Sequence, residues 1–424
     1  MKTAEPKLSN SKLRVRNHTS SKTRQQKFLF MGLALTFLPL LAPWSCDASA
    51  LLPMATGAAD MSLNGASIAR PRNPAGALLI NPAGLAAFQG TVVSSGLGVG
   101  WGSEKINTDS GYSSTNDVVA VIPDFAVSFA GPGRWRWRWG FGSYGSSGAN
   151  YDFPANPAAG VPADFHAETT IIGFPLAISY QVNDQLALGA ELIALFGHLR
   201  NRYAIGDQTF RYTLRGPGVQ AMFGATWHPH ERWSLGLGVR TPGRLWMDGS
   251  NENPNGGRQD VDVSVRMPAQ IGVGVSHQLF PALEVSATVR WTDSSSFGDS
   301  IIGFNATPYA NAPFIPEARD EWRWGGSLEW TVRKGVQKGV RLRAGASKSN
   351  RIVGTRGVTP LVFDNEDVRL SFGAGIDHGQ WTIDTMFGYS LHEGRDVPED
   401  QALGLPGHYD TGGGIVLFGL TRQL

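Results

Sequence analysis

Nine histidines, 35 acidic residues and one cysteine are the groups in this 424-residue chain best suited to covalent or metal chemistry. A hydrolase needs a nucleophile, a base and an orienting acid within reach of one another. His166, His198, His228, His230, His277, His378, His392 and His408 are scattered instead, and no Gly-x-Ser-x-Gly elbow presents a serine. His228-Pro-His230 is the one close pair. A metal site needs further ligands that the surrounding spacing does not supply, so a solvated turn is the better account. Cys46 follows Pro43-Trp44-Ser45, a poor lead-in for lipid attachment. No catalytic residue, metal or cofactor is therefore expected, and the chain is not read as an enzyme.

The elements around these residues are unusual in composition. Glycine contributes 53 residues and charged residues only 17%, against a formal net charge of +2. No Gly-X-Y period runs through the chain, which excludes collagen. The aromatic and apolar content argues against disorder. A mean hydropathy of −0.15 with one long apolar run argues against a helical membrane protein. The near-neutral charge leaves no footprint for nucleic acid. A soluble all-β protein or a membrane β-barrel remains.

The N-terminus bears on the compartment. Lys2, Lys7, Lys12, Arg14, Arg16, Lys22, Arg24 and Lys27 precede an apolar run from Phe28 to Trp44 that Pro39 and Pro43 interrupt. Ala48-Ser49-Ala50 closes it. A basic head, an apolar body and a small-residue end make a secretory signal, with cleavage expected after Ala50. The leader would carry Cys46 away, so the mature chain would hold no disulfide.

From about residue 91 the dominant pattern is alternation at period two. Leu283, Val285, Ala287, Val289 and Trp291 alternate with Glu284, Ser286, Thr288, Arg290 and Thr292. Each such segment has one greasy face and one polar or small face. About fourteen are predicted, near 91–102, 117–130, 136–147, 168–182, 185–202, 210–228, 232–247, 260–279, 283–296, 321–333, 339–350, 366–378, 380–392 and 410–424. They exceed ordinary soluble strands in length. Short turns such as Asn183-Asp184 and His378-Gly379 alternate with long connections at 103–116, 148–167, 203–209, 248–259, 297–320, 351–365 and 393–409. That asymmetry, an even strand number and tryptophans near strand ends (Trp101, Trp135, Trp137, Trp227, Trp233, Trp246, Trp322, Trp324 and Trp330 among them) describe an outer-membrane barrel. The fold class is thus all-β: a transmembrane antiparallel β-barrel of about 14 strands. The domains are a signal peptide (1–50), an N-terminal hatch (51–90) and the barrel (91–424).

Residues 51–88 do not alternate. They are rich in small residues and carry Asn-Pro-Ala-Gly twice, at Asn73–Gly76 and Asn81–Gly84. Proline keeps each preceding Asn out of a helix, so each copy makes a compact turn. An apolar segment of this kind before a wide barrel is expected inside the lumen.

Asn81-Pro82-Ala83 leading into a strand resembles the hatch motif of the outer-membrane long-chain fatty-acid transporter family (FadL/TodX type). Val121-Ile-Pro-Asp-Phe125, Arg215-Gly-Pro-Gly218, Arg240-Thr-Pro-Gly243 and Arg319-Asp-Glu-Trp-Arg323 extend the likeness along nearly the whole mature chain. The resemblance implies a fourteen-stranded, monomeric outer-membrane barrel, multi-pass, with a hatch in the lumen. It implies passive transport of hydrophobic molecules, long-chain fatty acids first and aromatic hydrocarbons as the alternative, with sideways release into lipid. Ligand-binding cations fall by the same resemblance on Arg202 and Arg319. A kinked third strand falls on the glycine-rich stretch with Gly140, Gly142 and Gly145, where mid-strand glycine suits a bulge or relieves crowding in the lumen. Residues 203–209 and 248–259 depart from the fatty-acid carriers: one is very short and the other lacks an amphipathic helix pattern. The remaining alternatives are a barrel enzyme and a general porin or scaffold.

Overall fold

The computed structural model describes residues 54–424 apart from 132–135, 162–163, 206–207, 253–256, 305–311, 314, 335–336, 361, 363, 365–366 and 403–404. The leader expected over 1–50, with Cys46, lies outside the described residues, as does Trp135.

Period-two alternation becomes a closed, fourteen-stranded antiparallel barrel. Its first six strands follow in order: β1 (Val92–Asn107), β2 (Ser113–Ala130), β3 (Trp137–Phe153), β4 (Phe165–Gln181), β5 (Leu186–Ile205) and β6 (Gln208–His230). The seventh is split into β7 (Trp233–Arg240) and β8 (Gly243–Glu252), and the eighth into β9 (Arg258–Met267) and β10 (Gln270–Phe280). β11 (Leu283–Thr292) precedes two short rim strands, β12 (Ile301–Phe304) and β13 (Ala312–Pro313). β14 (Glu321–Lys334), β15 (Gln337–Ser349), β16 (Asp367–His378), β17 (Trp381–His392), the short β18 (Arg395–Val397) and β19 (Gly407–Gln423) complete the wall. β19 pairs with β1 from Val92↔Gln423 to Asn107↔His408, which closes the ring.

Sequence reading expected unbroken strands over 232–247 and 260–279. The structure breaks both, at Thr241-Pro242 and Pro268-Ala269, because proline has no N–H to give a ladder. The buried Gln220 amide mends the two gaps together, donating to Thr241 O (2.8 Å) and Pro268 O (2.9 Å). The connection expected over 203–209 is mostly strand, since β5 and β6 stay in register out to Ile205↔Gln208.

The outward faces are apolar. Val119, Leu176, Leu192, Phe223, Val273 and Phe418 are each more than half exposed. An apolar belt of that extent around a ladder of paired backbone suits hydrocarbon. Trp137, Trp227, Trp233 and Trp330 stand on it near the short turns, and Trp246, Trp322 and Trp324 toward the long connections. β1 runs past its expected end to Asn107, which leaves Trp101 mid-strand.

Residues 54–88 fill the lumen. Helix α1 (Ala58–Ser62) is short, and α2 (Pro74–Ile80) starts where Asn73 Oδ1 accepts from Gly76 N at 2.8 Å, with Pro74 in the first turn. Asn81 ends α2 and caps the 3-10 helix Pro82–Ala87 by accepting from Ala83 N. Its amide also donates to Ile68 O (2.8 Å), Ala225 O (3.1 Å) and Thr226 Oγ1 (3.2 Å). One side chain thus shapes the segment and ties it to β6.

The wall meets this segment backbone to backbone. A Cβ on Gly189 would overlap Ala83 N, and one on Gly238 would overlap Ile80 O. Only glycine leaves room at these two places. Gly238→Val should therefore unseat the segment while leaving the ladders paired. The expected outcome is unchanged heat-modifiable mobility on gels with raised ion conductance in planar bilayers; a conductance equal to the parent's would refute this seating.

Candidate functional site

Above the N-terminal segment lies a small chamber lined by β1, β2, β3, β16, β17 and β19 together with residues of the segment. Met54 and Met61 form its floor, and Val118, Ile122, Met386 and Ile415 its apolar sides. Gly100, Gly102 and Gly388 thin the wall there. Asn64, Glu104, Arg369, Ser371 and Ser390 supply polar edges. Farther out, the interior carries a large apolar cluster that includes Phe153, Ile193, Leu214, Leu245 and Val265.

One side of the chamber reaches a seam in the wall. β2 and β3 are laddered only from Phe125↔Ser143 to Ala130↔Arg138. Beyond that, β2 pairs with β1 alone and β3 with β4 alone among the described residues. The chamber-lining Val118 and Ile122 belong to this unladdered part of β2, and Asn150 to that of β3. Pro123, which has no N–H for a neighbour, stands two residues before the ladder begins.

The three glycines expected to mark a kinked third strand divide in role. The β3–β4 register shifts between Gly145 and Ser147, so Ser146 is the extra residue of a bulge that begins at Gly145. Gly140 and Gly142 lie in the laddered part. A Cβ on Gly140 would stand 2.7 Å from the Leu85 side chain, so that glycine makes room for the segment in the lumen.

Ion pairs hold the segment from the other side. Arg70 and Arg72, between α1 and α2, reach Glu284 on β11 at 2.7 and 2.6 Å. Arg72 Nε lies 3.4 Å from Glu329 on β14, which Arg343 on β15 joins at 2.5 Å and links to Asp384 on β17 at 2.7 Å. Asp60 accepts from Arg72 N with both oxygens, at 3.0 and 3.1 Å, which fastens α1 to the same hub. Removing one member of a buried pair leaves an uncompensated charge. Arg343→Met should cost roughly 3–5 kcal/mol in urea unfolding of the detergent-solubilised barrel; a loss under about 1 kcal/mol, typical of an exposed pair, would show the hub to be solvent-screened.

Arg202 and Arg319 are not brought together. Arg202, near the outer end of β5, pairs with Asp164 at 2.8 Å, both side chains being about one-third exposed. Arg319 is exposed just before β14, its backbone N–H donating to Ile352 O at 2.6 Å. Neither lines the chamber. His228 Nδ1 lies 2.8 Å from Ser234 Oγ, and His230 Nδ1 accepts from Arg232 N at 3.2 Å, so the His-Pro-His turn spends these atoms on local contacts.

Between β15 and β16, Asp364 is buried beside Ile352 and Val353. Its Oδ2 accepts from Ile352 N and Val353 N, both at 2.7 Å, and Arg395 Nη1 donates to Val353 O at 2.9 Å. Burial pushes this carboxyl up from 3.8 to about 7 against the pull of the two N–H donors and Arg395. The folded loop therefore keeps a proton that the unfolded chain releases. Its contribution is whole below 3.8 and is lost as pH rises through about 7. Asp364→Asn, which carries no proton to lose, should flatten the fall in thermal midpoint across that interval; an unchanged slope would place the dependence elsewhere.

Sequence reasoning expected an interrupted third strand but missed the part that β2 plays in the seam, and it missed the ion-pair hub. Pro123 inside an alternating strand was the available signal for the seam, since proline in a sheet belongs at an edge or a bulge. No local signal pairs Arg72 with Glu284, Glu329 and Asp60, because those contacts join distant parts of the chain.

No family model and no curated protein matches the sequence. Solved structures do. A FadL homologue of Pseudomonas aeruginosa superposes with a TM-score of 0.77 at 18% identity, covering 88% of this chain and 99% of that one. The toluene transporter TodX of P. putida gives 0.70 at 16%, and the toluene transporter TbuX of Ralstonia pickettii 0.67 at 18%, each over 88% of this chain and 99% of the other. The chain has the FadL/TodX-type fold.

Proposed function

We propose that the chain is a passive outer-membrane channel for hydrophobic molecules, exported by its leader (1–50), plugged by residues 51–90 as a hatch and acting as a monomer. A ligand enters at the long-loop mouth, rests in the chamber and leaves sideways between β2 and β3 into lipid. The observation that carries this reading is the meeting of an apolar chamber with an unladdered stretch of wall above a filled lumen. Asn81, Pro82 and Ala83 seat the hatch, and the bulge at Gly145, above Gly140 and Gly142, bends β3 away from β2. Against the porin reading stands the filled lumen, and a catalytic set is not part of this reading.

Between the two ligand classes the chamber's charges favour a neutral one. Glu104 lies at its edge, and Arg369 Nε is already held by Asp367 at 2.6 Å. An ionised fatty acid buried there would meet an acid and a spent cation, which is costly. Arg202 and Arg319 fit ligand contacts at the outer mouth, where a carboxylate would be attracted without being buried.

Vesicles with lipopolysaccharide in the outer leaflet, reconstituted with the protein, should take up labelled toluene faster than protein-free vesicles and labelled palmitate no faster. Faster palmitate uptake would reverse the ligand assignment. Faster uptake of small ions and sugars, with neither hydrophobic probe accelerated, would make the chain a porin.

A further inference from the structure

At its outer end the seam between β2 and β3 is crossed by a side chain instead of a ladder. Asn116, on β2 and 8% exposed, donates from Nδ2 to Glu104 Oε2 at 2.6 Å and to the Asn150 carbonyl on β3 at 3.0 Å. Its amide nitrogen has two N–H groups, and the geometry uses one for each acceptor. Glu104, 5% exposed on β1, holds the amide at the angle from which it reaches β3. A bond to a charged acceptor in buried surroundings is among the stronger kinds. Tyr112 Oη, donating to Pro154 O at 2.9 Å, closes the last gap above it.

The stretch between this crossing and the ladder at Phe125 is bounded, so its length is fixed at both ends. Below, backbone bonds set the limit. Above, the limit hangs on Asn116. Glu104 and Asn150 also line the chamber, so the crossing stands directly beside a resting ligand.

We infer that Asn116, oriented by Glu104, is a clasp that sets the size limit of the sideways exit. This rests on the exit reading given above, and it adds a residue that determines which molecules pass. The unladdered residues 117–124 span about 26 Å at ~3.3 Å per residue, so the clasp limits how far β2 and β3 can part, and a large flat molecule must part them further than toluene does.

The test measures toluene and pyrene uptake by reconstituted mature protein, which holds no cysteine of its own once the leader is removed. Asn116→Leu keeps the volume and removes both donors. Asn116→Asp also removes them and faces Glu104 with a like charge. Each should raise the pyrene-to-toluene uptake ratio about fivefold, the factor expected for one hydrogen bond of ordinary net strength. Glu104→Gln replaces the charged acceptor with a neutral one and should raise the ratio by less than either Asn116 variant; a ratio equal to the parent's would show that Glu104 does not orient the clasp. General loosening of the barrel would speed both probes together and leave the ratio unchanged, so the ratio reports the clasp. A second arm places cysteines at Ala120 and Ala149, across the unladdered stretch, and joins them with a bifunctional thiol reagent. If the joined protein still passes both probes, the sideways exit is wrong and the clasp falls with it. If joining blocks both probes while the Asn116 variants keep the parent ratio, the exit stands and the clasp alone is overturned.

Discussion

Hydrocarbon offers a backbone amide nothing to bond to, so a chain that crosses it must pair its N–H and C=O groups within itself. That requirement explains the pairing of β19 with β1, the mending of both proline breaks by Gln220, and the outward row of Val, Leu and Phe. It also gives the β2–β3 seam its meaning. Unladdered backbone at membrane depth is tolerated where it borders a cavity, and here the chamber lies behind it. Asn116 supplies one donor to an otherwise unladdered Asn150 carbonyl, so the exception is small as well as placed.

The lumen is held by two kinds of contact with different consequences. Around Arg72 the segment is fixed by largely buried ion pairs to Glu284 and Glu329, and separating them would strand charges. Around the chamber floor it is held more by neutral bonds, such as Asn64 Nδ2 to Arg369 O at 2.7 Å and Ser371 Oγ to Ser62 O at 3.0 Å. Neutral bonds are cheaper to exchange than buried charges. The segment is thus held most firmly at Arg72 and at Met54, whose carbonyl accepts from Arg290 Nη2 at 2.9 Å, and by neutral bonds at Ser62 and Asn64.

Much of the wall was legible in the sequence because a strand's two-residue period is a local property. The row from Leu283 to Trp291 faces as its alternation says, and the short turns fall where Asn183-Asp184 and His378-Gly379 put them. What failed was also local in origin. Thr241-Pro242 and Met267-Pro268 lie inside alternating runs, and the alternation concealed the breaks that the prolines impose. The site was less legible. Glu104, Asn116 and Asn150 stand on three strands and acquire a common purpose only once the ring is closed. Asn81 is the exception, because an Asn before Pro is itself a turn signal, and the same side chain then reaches Ala225 and Thr226 on the wall.

The placement of cations separates attraction from passage. Arg202 and Arg319 stand at the mouth, where water keeps a charge cheap. Inside, Arg323 lies 3.1 Å from Asp367, which also binds Arg369, and Arg343 is shared between Glu329 and Asp384. These inner guanidinium groups already have acidic partners. At these guanidinium groups a carboxylate would have to displace an acid and leave it unpaired in turn, which costs desolvation. Arg290, donating to Met54 O at 2.9 Å, stands apart from these pairs. A neutral molecule meets no such exchange and gains from every apolar side chain it covers. The pairs that hold the segment through Arg72, Glu329 and Arg343 therefore also leave those guanidinium groups no free position for an arriving anion.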